Sequence, residues 1–212
     1  MIYDIIKSVF KVFYNPVKYE IFKVRWKKAN RHNYTYPVKT IFPLNKVSVG
    51  NYTYGPLEIY SWNNENEKIE IGSFCSIASD VKFLMGGNHD LYNISTFPFR
   101  FYFQNKDEAT TKGPIIIEDD VWIGMNSIIL SGIRLSQGCV VAAGSVIAKS
   151  FPPYSIIGGN PAKILKKRFD DNTIQELLKI DFNKLNKEII TQNVDKIYDP
   201  NNFYDVLKQI QK

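Results

Sequence analysis

Histidine and cysteine are scarce in this chain of 212 residues, with two of each. Two histidines cannot build a histidine cluster, and no spacing of the two cysteines suggests a metal site. Cys75 and Cys139 read instead as buried, reduced thiols that act as small apolar fillers. No apolar run reaches a membrane-spanning length, because Lys7 and Lys11 interrupt the N-terminal one. The start of the chain also lacks the charged region and small-residue cleavage site of a secretory signal, so the expected location is the cytoplasm. Uniform basicity is missing as well. The net charge is +6, but residues 1–46 hold ten Lys/Arg against two acidic groups, leaving 17 basic against 19 acidic groups in the rest. That asymmetry argues against a nucleic-acid binder, which would spread its basic surface over the domain.

A six-residue period is present instead. Ile117, Ile123, Ile129, Leu135, Val141 and Ile147 follow one another at that step without a break. Helices repeat near 3.6 residues and strands near 2, so neither produces it. The position four after each aliphatic is mostly small: Val121, Ser127, Ile133, Cys139 and Ser145. One large and one smaller inward residue per hexapeptide suit a narrow three-sided prism, a parallel β-helix. The alternative is one buried strand with accidental spacing, which six hits in register disfavour. Upstream, Ile71, Ile77 and Phe83 keep the step, with Cys75 and Val81 at the four-after positions. Val47 and Ile59 are also in phase, with Thr53 and Glu65 as weak members.

Between Phe83 and Ile117 the period lapses for 33 residues. A regular solenoid must expel such a stretch as a loop, and loops of that length are usually functional or disordered. This one carries His89, Phe97, Pro98, Phe99, Phe101, Tyr102 and Phe103, a content suited to packing on a neighbouring subunit.

At the N-terminus Ile2, Ile5, Ile6, Val9, Val12 and Phe13 recur at helical spacing, followed by the basic run around Arg25, Lys27, Lys28 and Arg31. Such an amphipathic helix either meets an anionic membrane or glycan, or lies against its own solenoid with a solvated basic face. After Ile164 helical spacing returns. A helix is expected over 172–180 with Asn172 as N-cap, and weaker ones over 185–190 and 204–210, forming a tail that caps the open end of the solenoid. The division is thus a basic N-terminal segment (1–46), the β-helix (47–168, loop 84–113) and a helical tail (169–212).

The segments GGNHDLYNISTFPF (86–99), DVWIG (120–124) and GGNPAKIL (158–165) complete the reading. Together with the hexapeptides, they resemble the left-handed β-helix acyltransferases over about residues 47–168. The similarity is to the branch holding the xenobiotic acetyltransferases and the O-acetyltransferases of surface-glycan pathways. NPAK occurs across the wider superfamily, and the NH…STFPF loop narrows it to this branch. The resemblance implies a homotrimer, acetyl-CoA as co-substrate and no metal.

It also implies His89 as the general base. That role agrees with plain chemistry: an alcohol is a poor nucleophile until it loses its proton, and general-base help is worth about 10²–10⁴-fold. His32, in the polar basic run, reads as solvated or locally bonded. The superfamily's coenzyme positions map onto Met125, Ala143, Ala148, Lys149, Lys163 and Lys166, with Met125 larger than the residue often found there. The three lysines would pair with the phosphates as point charges, and Lys167 and Arg168 extend the basic run; the alternative is an ordinary basic turn at the end of the solenoid. For the acceptor, Tyr54, Trp62, Asn88 and Trp122 are candidates. Aromatic faces suit a sugar or an aromatic drug alike, and Trp122 could equally cover a coil face.

The expected activity is transfer of acetyl to a sugar hydroxyl in capsule, lipopolysaccharide or exopolysaccharide synthesis. The alternatives are a streptogramin or chloramphenicol hydroxyl, N-acetylation of an amino sugar, and a non-catalytic trimeric scaffold. Peripheral contact of the N-terminal segment with the inner membrane surface is a further expectation.

Overall fold

The structure, a computed structural model, describes residues 2–198, with side chains from residue 15 onward. A long helix, α1 (Ile2–Ala29), leads into β1 (Tyr34–Pro37). The repeat region follows as β2 (Val47–Val49), β3 (Tyr54–Tyr60), β4 (Ile69–Ile71), β5 (Ser76–Ile77) and β6 (Lys82–Leu84). A short helix, α2 (Phe99–Gln104), interrupts the series. The repeats resume as β7 (Ile115–Ile117), β8 (Trp122–Ile123), β9 (Ile128–Leu130), β10 (Arg134–Leu135), β11 (Val140–Val141) and β12 (Val146–Ile147). A hairpin of β13 (Ser155–Gly159) and β14 (Ala162–Lys167) precedes α3 (Asp171–Leu177) and α4 (Lys187–Ile197).

Apart from that hairpin, every pairing among these named strands is parallel. The strands form three ladders, visited in turn. One runs β1, β3, β5, β8, β11, β13; a second runs β2, β4, β7, β10; the third joins the end of β3 to β6, β9 and β12. Ile117 pairs with Leu135, Ile123 with Val141 and Ile129 with Ile147, each partner three six-residue steps further along. Three hexapeptides therefore make one coil. Stacking of parallel strands in this register lines up like residues, so the aliphatic ladder fills the interior. All six of its members are at most 1% exposed, and the smaller set at Val121, Ser127, Ile133, Cys139 and Ser145 is buried beside them. Thr53 is buried too, whereas Glu65 lies on the surface, and the weak phase at that position marks a real break.

A second six-residue period shapes the corners. Phe74 and Asp80, then Asp120, Asn126, Gly132, Gly138 and Gly144, all have φ between 56° and 75°. Each lies three residues after an inward aliphatic, where the chain leaves one ladder for the next. That turn needs a left-handed backbone, which Gly, Asn and Asp tolerate best.

The ends are packed differently. Trp26 and Phe22 of α1 sit edge-on to Phe42 at ring distances of 5.4 and 4.9 Å, and the Trp26 indole N–H donates to Thr35 at 3.2 Å. The C-terminal tail departs from expectation in two respects. The N-cap of α3 is Asp170, whose carboxylate accepts from Thr173 N–H at 3.0 Å, two residues before the expected Asn172. The tail also does not simply close an open end, but runs back along a corner. Gln137 donates to the Leu177 carbonyl at 3.0 Å, Ser73 Oγ donates to Asn183 at 3.3 Å, and Phe182 meets Phe74 at 5.8 Å. The reason is that Ile174 and Leu177 find an apolar seat beside Tyr154, on the side of the last coil. The expected helix at 204–210 lies outside the described residues, as do the side chains of Ile2, Ile5, Ile6, Val9, Val12 and Phe13.

Candidate active site

The non-repeating segment leaves the solenoid after β6 and returns at β7, and a short antiparallel bridge pinches its base. Asn88 N–H donates to the Thr110 carbonyl at 3.0 Å, and Thr110 N–H returns the bond at 2.9 Å. The Asn88 side-chain amide points to Thr110 O at 3.3 Å and Ser131 Oγ at 3.4 Å. Asn88 thus fastens the loop to the next coil, and its amide donors are engaged there. Thr111 Oγ1 adds a bond to the buried Met85 carbonyl at 2.6 Å.

His89 is the first residue beyond that clasp, and it is exposed. Its Nδ1 lies 2.5 Å from the Thr96 carbonyl oxygen. A carbonyl can only accept, so Nδ1 must carry the proton. In the neutral ring this leaves Nε2 with the free lone pair, the tautomer a base requires. The orienting group is therefore a backbone carbonyl seven residues away, which side-chain reading of the sequence had no means to find. Asp90 does not orient the ring; its carboxylate accepts Tyr92 N–H at 2.8 Å in a local turn.

Two clefts meet at this imidazole. One of about 600 Å³ is lined by loop residues including Asp90, Thr96, Phe97 and Phe99. The other, about 450 Å³, brings in Trp62, Gly87, Phe101 and Tyr102. Asp107 and Glu108 line both. The Glu108 carboxylate accepts Arg100 N–H at 2.9 Å and so ties α2 to the returning limb of the loop. Phe97 stacks on Tyr102 at 5.1 Å and meets Phe99 edge-on at 5.0 Å, an aromatic cluster whose rings all stay exposed. The tip of the loop is barer still, with Tyr92 and Ile94 fully exposed.

Trp62 owes its position to Glu67, a carboxylate buried to 2% exposure. Glu67 accepts from Trp62 N–H at 3.0 Å, Ser61 Oγ at 2.5 Å and Asn63 N–H at 3.1 Å. Of the acceptor candidates, the structure thus brings Trp62 and Asn88 to His89. It places Tyr54 and Trp122 elsewhere, as half-exposed members of one row across the first ladder, each paired with Ser76.

The coenzyme candidates gather in part. Met125 and Ala143 are neighbours on successive coils, joined by Gly144 N–H donating to the Met125 carbonyl at 2.7 Å. A side chain on Gly124 would strike Ala143 N at 2.6 Å, so only glycine allows that approach. Gly144, by contrast, faces open space. Lys163 is opposite Gly158 in the hairpin, and Gly158 packs toward Ala142, which brings Lys163 to the same corner. Lys166 is opposite Ile156. Ala148 and Lys149 lie one corner further on, past β12, with Lys149 5.6 Å above the Phe151 ring. All six residues are exposed, and small side chains flanked by lysine ammonium groups fit a long anionic ligand. The other two members of the basic run are engaged elsewhere. Arg168 donates to Asp120 at 2.9 Å and to the Gly138 carbonyl at 2.8 Å, and Lys167 pairs with Asp171.

Burial pushes the Cys75 thiol up to about 12 and the Cys139 thiol up to about 11, so neither is a nucleophile at neutral pH. Among the described residues no group of three His, Cys, Asp or Glu could hold a metal ion.

Several known proteins are similar to this chain in sequence. The family model described as the hexapeptide repeat of succinyl-transferase matches residues 114–149. A probable macrolide acetyltransferase of Lysinibacillus sphaericus is 42% identical over 137 residues, covering 61% of this chain and 76% of the relative. The virginiamycin A acetyltransferase of Staphylococcus aureus is 32% identical over 191 residues, with 82% and 86% covered. A chloramphenicol acetyltransferase of Agrobacterium fabrum is 43% identical over 122 residues, with 54% of this chain covered and 58% of that relative, less than two thirds of its length.

Proposed function

Because this chain belongs to the hexapeptide-repeat acetyltransferases, we propose that it transfers acetyl from acetyl-CoA to an acceptor hydroxyl, with His89 as the general base. The observation that carries this is the His89 ring, held through Nδ1 by Thr96 where two clefts meet. Acetyl-CoA supplies the acetyl group as an activated thioester. His89 Nε2 takes the acceptor's hydroxyl proton as the oxygen attacks the acetyl carbon. It then returns a proton to the departing coenzyme thiolate, so the ring ends as it began. Throughout, the Thr96 carbonyl keeps the ring in place and stabilises the protonated imidazole.

In this reading the coenzyme runs along the corner of Met125, Ala143 and Gly144, with Lys163, Lys166 and Lys149 toward its phosphates. Each prism winds left-handed and three of them associate. The bare outer side of the loop, with Leu91, Tyr92 and Ile94, supports a neighbouring subunit as its cover. The row containing Tyr54 and Trp122 then faces a neighbour's His89, and one protomer alone lacks a complete site.

For the acceptor, the named relatives support a hydroxyl on an antibiotic, since they include macrolide, chloramphenicol and virginiamycin A acetyltransferases. A sugar hydroxyl of a surface polysaccharide is the second reading, supported by the aromatic lining beside His89. Thiol release from acetyl-CoA against macrolides, streptogramins, chloramphenicol, simple sugars and polysaccharides separates them. An alkali-labile product marks an ester, whereas an alkali-stable one would turn the reading to N-acetylation of an amine. Absence of both turnover and acetyl-CoA binding would leave a scaffold.

A further inference from the structure

From residue 15 onward helix α1 has two apolar faces, and the described residues cover only one. On the inner face Phe22 and Trp26 are buried, and the Tyr19 hydroxyl donates to the Pro37 carbonyl at 3.0 Å. On the outer face Val17, Ile21 and Val24 are 58%, 50% and 68% exposed. Their spacing of four and three residues places them in one stripe along the axis. Pro16 interrupts the helix's hydrogen bonding, so the stripe is argued on the turns that follow it. Lys18 and Arg25 flank it on one side and Lys27 on the other, with Lys28 at its end, all exposed. The one acidic group on these turns, Glu20, is paired with Lys23 at 2.6 Å. In the sequence, Ile6, Phe10 and Phe13 continue the stripe's spacing and Lys7 and Lys11 continue the cationic row.

We propose that this outer face of α1 rests on an anionic lipid surface. An apolar stripe bordered by cations matches both layers of such a surface, with acyl chains beneath the stripe and anionic headgroups beside the lysines and arginines. A soluble polyanion would satisfy the cations but offer nothing to Val17, Ile21 and Val24. The length of the helix does not compete with this, since no described helix is long and apolar enough to cross a membrane. The helix lies on the surface, and Phe22 and Trp26 on its opposite face hold the catalytic domain to it.

The test is co-flotation of the full chain with vesicles of phosphatidylcholine alone, or mixed with phosphatidylserine, at low and high salt. Binding is expected only to the mixed vesicles and should weaken as salt screens the headgroups. The double variant Lys18→Ala/Arg25→Ala should lower partitioning roughly thirtyfold. The triple variant Val17→Ser/Ile21→Ser/Val24→Ser should abolish it while leaving acetyl-CoA binding as in the parent. Several outcomes would overturn the proposal: equal binding to both vesicle types, no binding to either, or triple-variant binding like the parent's. A triple variant that changes oligomer mass in sedimentation would assign the stripe to a second copy of the chain instead.

Discussion

The indole of Trp62 roofs Gly87 so closely that a Cβ on that glycine would lie 2.6 Å from Trp62 Cε2. Gly87 also has φ +80°, a conformation that favours glycine, and it stands two residues before His89. Glu67 holds Trp62 from behind. A buried carboxylate, a surface indole and a backbone turn that glycine adopts without strain therefore fix where the loop departs and where the imidazole begins. Gly87→Ala must move Trp62 or the loop and should cost about 1–3 kcal/mol of stability. The catalytic loss should exceed what the fall in melting temperature explains. Unchanged turnover would detach Trp62 from the site.

His89→Ala should lower acetyl transfer about 10²–10⁴-fold. The side chain is exposed, so melting temperature and oligomer mass should not change. A folded variant with parental turnover would remove His89 from the mechanism.

Neighbouring cations should separate by role. Lys163→Ala should raise the KM for acetyl-CoA more than that for the acceptor, with stability unchanged. Arg168→Ala should instead cost about 1.5–3 kcal/mol of stability, because it strips charge-assisted bonds from Asp120 and the Gly138 carbonyl. Steady-state kinetics beside thermal unfolding distinguish the two.

Ile129→Ala, in the middle of the aliphatic ladder, should cost about 2–5 kcal/mol. The site is fully buried between Phe83 and Ile147 on adjacent coils, which leaves little room for collapse around the cavity. Denaturant unfolding measures the loss.

Acid should loosen the strap ahead of the first coil. Burial works against the Glu58 carboxylate, but bonds from Tyr60 at 2.6 Å and Lys39 at 2.9 Å outweigh it and hold its pKa below the usual range. The Lys39 bond, at 2.6 Å, lowers Asp80 as well. Carboxylates with depressed folded-state pKa values stabilise the fold above their ordinary range, and the contribution is lost as pH falls through the folded values. Glu58→Gln should therefore be less stable than the parent at neutral pH, with the gap narrowing in acid. A gap that is constant from neutral to acid pH would remove the clamp from the stability account.

Much of the architecture was legible because the period of the aliphatic ladder is local and long. Ile117 to Ile147 form an uninterrupted register, and parallel stacking turns that register into like-on-like pairs. The corner positions were legible in principle too, since Asp120, Asn126, Gly132, Gly138 and Gly144 carry the same step in turn-forming residues. The site was harder to read. His89 could be singled out by the motif around it, but Thr96 acts through a carbonyl that every residue possesses, so composition and spacing do not mark it. Glu67 has the same difficulty. A lone glutamate in a polar stretch does not announce that it is buried and takes the backbone N–H groups of Trp62 and Asn63.

By itself the sequence determined the repeat, the three-step coil that follows from it, the interruption at the loop, and the cationic N-terminal helix. Each depends on periodicity or composition within a continuous stretch. Only the tertiary structure decided which residues converge: Trp62 over Gly87, Thr96 on His89, Asp120 taking Arg168 out of the basic run, and the tail lying along a corner. All but the Thr96–His89 bond, which runs through a backbone carbonyl seven residues on, are contacts between segments far apart in the chain. They depend on which backbone groups and buried charges find partners once the coils have stacked, and no local pattern encodes that.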